Sequence, residues 1–306
     1  MTDTVHSAAS DIHAGNRMER WVPRGMRPYL RLARIDRPIG TWLLVLPCWW
    51  SVALAMPSWP DARMFALFAV GALIMRGAGC TLNDIVDREV DGRVARTATR
   101  PIPSGAVSVR NAVVFLGLQL LAGLAVLTQL NGFAIALGAG ALPLIAVYPF
   151  MKRITYWPQL VLGLVFNWGA LLGWAAVRGE LGAPALALYG AGVLWTLGYD
   201  TIYAHQDKEY DSLIGLKSTA LKLGGATRPW LFAFYGGALA LLAVAGHLAA
   251  LAWPFFAVLA LGAAHLTWQA AMVDTADALD CLAKFKSNRN FGLIVLAGVV
   301  AGQVAG

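Results

Sequence analysis

The chain has 306 residues, of which 58% are hydrophobic and only 13% are charged, and its mean hydropathy is +0.60. That is more apolar surface than a soluble domain of this length can bury, so much of it must face lipid, and a soluble globular enzyme is excluded. A net charge of +7 would ordinarily raise the question of nucleic acid, but the placement of the cations explains it otherwise.

Residues 1–37 form a basic N-terminal segment without the apolar stretch of a cleavable secretory signal. Within it Met26–Asp36, MRPYLRLARID, is expected to form a basic amphipathic helix on an anionic leaflet. Residues 38–306 then read as one membrane domain. Apolar runs near the ~20 residues that cross a bilayer fall at 38–57, 63–82, 110–129, 131–149, 158–177, 183–203, 228–249, 251–273 and 288–306. They are rich in Leu, Ala and Gly and lack period-2 alternation, which argues against a membrane β-barrel. The expected fold class is therefore an all-α polytopic membrane protein with nine transmembrane helices.

The cations supply a topology. Seven Lys/Arg precede the first run, five lie between 83 and 110, two are Lys152 and Arg153, four lie between 208 and 228, and three between 284 and 289. All of these fall on one side of the membrane if the runs are crossings. Only Arg63 and Arg178, in opposite loops, and Arg76, inside a run, depart from the pattern. The positive-inside rule then makes the N-terminus cytoplasmic, and the expected location is a bacterial inner membrane. Cys48, Cys80 and Cys281 are scattered and suggest neither a disulfide framework nor a zinc site.

Of the 17 acids, Asp84, Asp87, Glu89 and Asp91 follow the second run, Asp200 stands in the last turn of the sixth, and Asp207, Glu209 and Asp211 follow it. At about 100° per residue, with Arg76 at zero, Asn83 lies near −20°, Asp87 near +20° and Asp91 near +60°. On a continuous sixth helix, with Asp200 at zero, Tyr203 lies near −60°, Asp207 near −20° and Asp211 near +20°. Carboxylates at i,i+4 repel, and a helix C-terminus disfavours anions. Something cationic must compensate. Oxygen ligands of this kind suit Mg²⁺, which keeps positions open for water and phosphate. Arg88, Arg93, Arg96, Arg100, Lys217, Ser218 and Thr219 follow in the adjoining loops, and Tyr148, Lys152 and Arg153 stand at the end of the fourth run, which points to a diphosphate. Arg76, within a span, needs a partner or a wet cavity, and its stripe suggests an anion such as a substrate carboxylate.

The stretches RIDRPIGTWLLVLPCWW (34–50), NDIVDREVDGRVARTATRPIPSG (83–105), YPFMKRITYWPQLVLG (148–163), DTIYAHQDKEYDSLIGLKSTA (200–220) and the weaker FKSNRNFG (285–292) resemble the UbiA superfamily of intramembrane prenyltransferases. The resemblance spans nearly the whole chain, and the stretches at 34–50 and 148–163 place it nearest the branch that acts on 4-hydroxybenzoate. It implies nine helices around a central cavity open to lipid, with Mg²⁺ as cofactor and polyprenyl diphosphate and 4-hydroxybenzoate as substrates. It also implies that Asn83, Asp87 and Asp91, as NxxxDxxxD, and Asp207 and Asp211, as DxxxD, hold Mg²⁺ and through it the diphosphate. Arg76 matches the position that meets the aromatic carboxylate. Tyr148, Lys152, Arg153 and Lys217 match positions near the diphosphate, with Arg88 and Tyr203 alongside, and Asp200 or Asp207 would polarise the phenol or accept a proton. Relatives with haem, menaquinone or tocopherol acceptors share this machinery.

Two rivals are weaker. DGRVAR followed by Gly105 begins a CDP-alcohol phosphotransferase signature, but Val109 and Val113 stand where its further aspartates belong. A transporter with an acid-lined vestibule would place polar residues nearer the bilayer midplane.

Overall fold

A computed structural model describes residues 21–57, 61–93 and 97–306. Most of the basic N-terminal segment, including Arg17 and Arg20, and Arg96 of the first basic loop lie outside the described residues. Those described residues contain helices and no strand.

In chain order the helices are α1 (Arg27–Leu32), α2 (Ile39–Ala55), α3 (Ala62–Asp91), α4 (Val109–Leu127), α5 (Gly132–Gly140), α6 (Leu142–Val147), α7 (Met151–Ile154), α8 (Pro158–Phe166), α9 (Trp168–Arg178), α10 (Ala183–Ala204), α11 (Lys208–Leu213), α12 (Thr219–Leu223), α13 (Thr227–Leu248), α14 (Trp253–Met272) and α15 (Ala278–Val304). Among the described residues six stretches are long and apolar enough to cross a membrane: Ala62–Asp91, Val109–Leu127, Gly132–Ile154, Pro158–Arg178, Thr219–Leu248 and Trp253–Met272. The other three expected runs fall on α2, which has 17 residues, on α10, and on α15. α10 is buried along most of its length, and α15 opens with Asp280, Lys284, Lys286 and Arg289, so neither presents an uninterrupted apolar surface.

Several expected runs are not single regular helices. The run 131–149 divides into α5 and α6, followed by a 3₁₀ turn at Tyr148–Phe150, because Pro143 and Pro149 lack the N–H that an uninterrupted helix needs. The run 158–177 divides at Asn167, whose side-chain amide donates to Gly163 O at 2.8 Å and to Thr196 Oγ1 at 2.8 Å, so the break is hydrogen-bonded within the protein. The expected amphipathic helix at 26–36 is reduced to the six residues of α1, and Leu32 is buried with Ile102, Val107 and Ala112 instead of lying on a lipid surface. Asp274, Asp277 and Asp280 stand at the solvent-exposed start of α15: Asp277 caps it by accepting from Leu279 N, and Asp280 accepts from Asp274 N and from Lys284 Nζ.

The chain divides into two compact units. Unit 1 comprises the described residues up to Thr41 with Val70–Val126, and unit 2 comprises Trp42–Ala69 with Leu127–Gly306. In unit 1, α3 and α4 are joined by a hydrogen bond of 3.0 Å from Thr81 Oγ1 to Gln119 Oε1. Val113, Val114, Leu118 and Leu121 of α4 are exposed, the pattern of a lipid-facing helix.

In unit 2, α10 packs against α8, α13 and α15, and α14 packs against α13 and α15. Trp50, Trp195, Tyr199 and Phe291 form a buried aromatic cluster, in which Trp50 Nε1 donates to Gly292 O at 2.7 Å. These tryptophans are packing residues. Gly169 and Gly173, four apart on α9, let α2 approach closely: a Cβ at Gly173 would lie 2.7 Å from Cys48 O and 3.2 Å from Val52 N. Gln303 of α15 donates to Ala53 O and Leu54 O, closing the C-terminal end of α2.

Candidate active site

Unit 1 carries the first acidic segment on α3, whose 30 residues extend about 45 Å at 1.5 Å per residue. A hydrocarbon layer of ~30 Å cannot contain it, so the acidic end projects past the apolar region. Because the helix is continuous, Arg76, Asn83, Asp87 and Asp91 keep the expected stripe. Asp87 is fully buried and Asp91 nearly so, Asn83 and Arg76 are half-buried, and Arg88 is exposed with its Nη2 3.2 Å from Glu89 Oε1.

The cations compensating these acids are arginines of the same unit. Arg34 Nη2 donates to Asp84 Oδ1 at 2.9 Å and to Oδ2 at 3.3 Å. Arg100 Nη1 donates to Asp91 Oδ2 at 2.7 Å and reaches Asp84 Oδ1 at 3.4 Å. The Asp84 side chain is 1% exposed and that of Arg34 10%. Asp84 and Asp91 are seven residues apart, or about −20° on a helix, so one guanidinium spans both. Arg34 reaches Asp84 from a left-handed backbone turn, φ +56°, that ends α1 and reverses the chain. The Asp84 pairing escaped sequence reasoning, although Asp84 sits beside Asn83 and Arg34 opens the first motif stretch.

Arg76 has its own cradle. A Cβ at Gly40, in the first turn of α2, would lie 2.3 Å from Arg76 Nε and 2.8 Å from Nη2. Gly40 is buried, so the guanidinium rests on backbone that only glycine leaves open.

The oxygen donors of this segment fit a hard divalent ion such as Mg²⁺ in type, and the buried charge of Asp84, Asp87 and Asp91 calls for cations. Among the described residues of unit 1, however, no three acidic, His or Cys side chains stand gathered as a metal cage, and Asp84 and Asp91 are turned onto arginines.

Unit 2 carries the second acidic segment, and here the expected continuous helix is broken. α10 ends at Ala204; His205 N, Gln206 N and Asp207 N bond to carbonyls three residues back, and α11 restarts when Asp211 N bonds to Asp207 O at 2.8 Å. Each such tightened step turns about 120° instead of 100°, so the three together advance Asp207 and Asp211 by about 60° relative to Asp200 and Tyr203. Asp200 and Tyr203 belong to the last turns of α10, with the Tyr203 ring tilted against that of Phe285 at a centroid distance of 4.5 Å, while Asp207 precedes α11 and Asp211 lies in it. All four are half-buried.

The break is held by His205, whose Nε2 lies 3.0 Å from Thr227 Oγ1. Burial pushes its imidazole down to about 4, and the positive charge of Lys208 adds to the shift. The folded chain thus keeps His205 neutral where the unfolded chain, at about 6.5, takes up a proton. Stability is expected to fall as pH drops from about 6.5 toward about 4. Thermal midpoints at pH 7.5 and 5 should show this loss, and it should shrink in His205→Gln.

The same unit brings Lys217 to the end of the fourth run: Lys217 N donates to Lys152 O at 2.8 Å, Lys217 Nζ donates to Ile154 O at 3.0 Å, and Lys217 and Lys222 both lie over the Tyr156 ring. Lys152 and Tyr148 are half-buried and Arg153 is exposed. Ser218 and Thr219, expected as phosphate donors, are structural. Ser218 caps α12 by accepting from Leu221 N, while Thr219 Oγ1 lies 2.7 Å from Thr201 Oγ1 and its N–H donates to Gln159 Oε1.

These features define a polytopic helical membrane protein with an acidic, arginine-compensated helix end in one unit and an acid-rich helix break in the other. The chain matches the UbiA prenyltransferase family over residues 44–294 and belongs to that family. It is similar to the mitochondrial 4-hydroxybenzoate polyprenyltransferase of Homo sapiens, 54% identical over 285 residues that cover 92% of this chain and 77% of that protein. The Arabidopsis thaliana protein of the same name is 51% identical over 290 residues, covering 94% of this chain and 71% of that one. Among solved structures, an apo UbiA homolog from Aeropyrum pernix K1 aligns with a TM-score of 0.69 at 27% identity, covering 87% of this chain and 98% of that one. A UbiA homolog from Archaeoglobus fulgidus bound to GPP and Mg²⁺ aligns with a TM-score of 0.59 at 18% identity, covering 90% and 98%, and shares the fold.

Proposed function

We propose that this protein transfers a polyprenyl group from polyprenyl diphosphate to the ring carbon ortho to the hydroxyl of 4-hydroxybenzoate, in ubiquinone synthesis. The observation that carries this reading is the 54% identity, over 92% of the chain, to a protein bearing that name. Nine crossings with the cation-rich loops on the N-terminal side are the topology that goes with it. The mitochondrial names of the relatives do not support the expected bacterial inner membrane, so only the sidedness is carried forward.

In this reading Asn83, Asp87 and Asp91 hold Mg²⁺, as do Asp207 and Asp211, with Lys152, Arg153, Lys217, Arg88 and Tyr148 serving the diphosphate. Bound Mg²⁺ neutralises charge that develops on the departing diphosphate. The allylic C–O bond breaks with its electron pair leaving on the diphosphate, the cationic prenyl carbon bonds to the ortho ring carbon, and the ring proton leaves to a carboxylate. Asp200 and Asp207 are the bases considered for that proton, and Tyr203 stands beside them. Arg76 pairs with the carboxylate of the acceptor. Apolar helices keep water from quenching the cation.

The test is membranes containing the protein, supplied with Mg²⁺, a prenyl diphosphate and 4-hydroxybenzoate. Prenylated product that disappears with chelator supports the reading; none from folded protein overturns it. Gly40→Ala refines it. The new methyl displaces the Arg76 guanidinium without needing to move backbone, so the variant should fold and its KM for 4-hydroxybenzoate should rise about tenfold, as for one lost charge-assisted contact. An unchanged KM would detach Arg76 from the acceptor.

A further inference from the structure

Asp91 presents a conflict between the structure and the role proposed for it. A ligand of Mg²⁺ must offer its oxygen to the ion, yet Asp91 Oδ2 is already 2.7 Å from Arg100 Nη1. The backbone around Arg100 is fastened independently of that contact. Thr97 Oγ1 donates to Asp91 O at 2.8 Å, Arg100 N donates to Thr97 O at 2.9 Å, Ser104 N donates to Arg100 O at 3.0 Å, and Val107 N donates to Pro101 O at 2.8 Å. None of these bonds uses the guanidinium. Its guanidinium has a second hold, the longer 3.4 Å contact to Asp84 Oδ1, and Asp84 is itself kept in place by Arg34 at 2.9 Å.

We propose that Arg100 is the resident counter-cation of Asp91 and exchanges with the divalent ion, which takes the Asp91 oxygen while Asp84 keeps the released guanidinium nearby for an oxygen of the diphosphate. This rests on the metal-dependent reading above. A carboxylate cannot give the same oxygen lone pair fully to a guanidinium and to an ion, so the two compete, and a doubly charged ion at close range outbids a delocalised single charge. In the ion's absence Arg100 holds the buried carboxylate in a compensated state, which spares the helix end the repulsion of Asp84, Asp87 and Asp91. Asp84 is a positioning residue in this scheme: its side chain is 1% exposed and its two partners are arginines.

The experiment measures Mn²⁺ binding by electron paramagnetic resonance, and inorganic diphosphate binding in the presence of Mn²⁺, on the full chain in lipid nanodiscs. In Arg100→Gln, Mn²⁺ affinity should rise about tenfold because its competitor is gone, while diphosphate affinity should fall about tenfold. Arg100→Lys, which keeps the charge, should return both values part of the way toward wild type. A merely structural arginine would lower both affinities together. Unchanged or weakened Mn²⁺ binding in Arg100→Gln, with Arg100→Lys like wild type, overturns the exchange and leaves the metal site standing. Failure of the wild-type chain to bind Mn²⁺ at all overturns the metal-dependent reading and the exchange with it.

Discussion

Asp87→Asn is expected to reduce prenyl transfer by about 10³-fold or more while leaving the protein folded. The substitution preserves shape and removes one negative charge from a fully buried position on α3, one turn from both Asp84 and Asp91. A metal that stabilises leaving-group charge contributes several kcal/mol to the barrier, and each ~1.4 kcal/mol is a factor of ten in rate. Asp211→Asn in α11 should behave alike. Initial rates in membranes, together with thermal midpoints close to wild type, would support the assignment. Activity above about a tenth of wild type in either variant would remove that residue from the machinery.

Asp84→Ala should have the largest effect on stability, at about 3–5 kcal/mol, the usual cost of removing one partner from a buried ion pair. Arg34 Nη2 loses both of its carboxylate contacts, and Arg100 loses its second. Arg34 cannot easily turn toward water, because its side chain is 10% exposed and its backbone is committed to a left-handed turn. Thermal or denaturant unfolding in detergent should register the loss. The double variant Asp84→Ala with Arg34→Met should recover part of it, since it no longer buries the stranded guanidinium. A single-variant cost below about 1 kcal/mol, or no recovery in the double, would mean the network is more hydrated than its burial indicates.

The neighbourhood of α3 shows where sequence reasoning works. Arg76, Asn83, Asp87 and Asp91 were legible as one stripe because a single unbroken helix carries all of them, and helical phase is a local property. The same arithmetic is off by about 60° from Asp200 to Asp211. Three tightened turns and a His205–Thr227 bond interrupt the helix there, and Thr227 is 22 residues away. Gly40 looked like an ordinary residue of an apolar run until the fold laid Arg76 across it.

Composition and order alone pointed to a helical membrane protein, to cations gathered in alternate loops, and to two acidic segments with basic residues beside them. Those properties follow from hydration and from spacing along the chain, which need no knowledge of what lies opposite. Only the tertiary structure decided which cation meets which carboxylate. Arg34 reaches Asp84 across 50 residues through a left-handed turn, and Arg100 reaches Asp91 through a hydrogen-bonded loop, because ion pairs depend on chain reversal and burial that no linear pattern encodes.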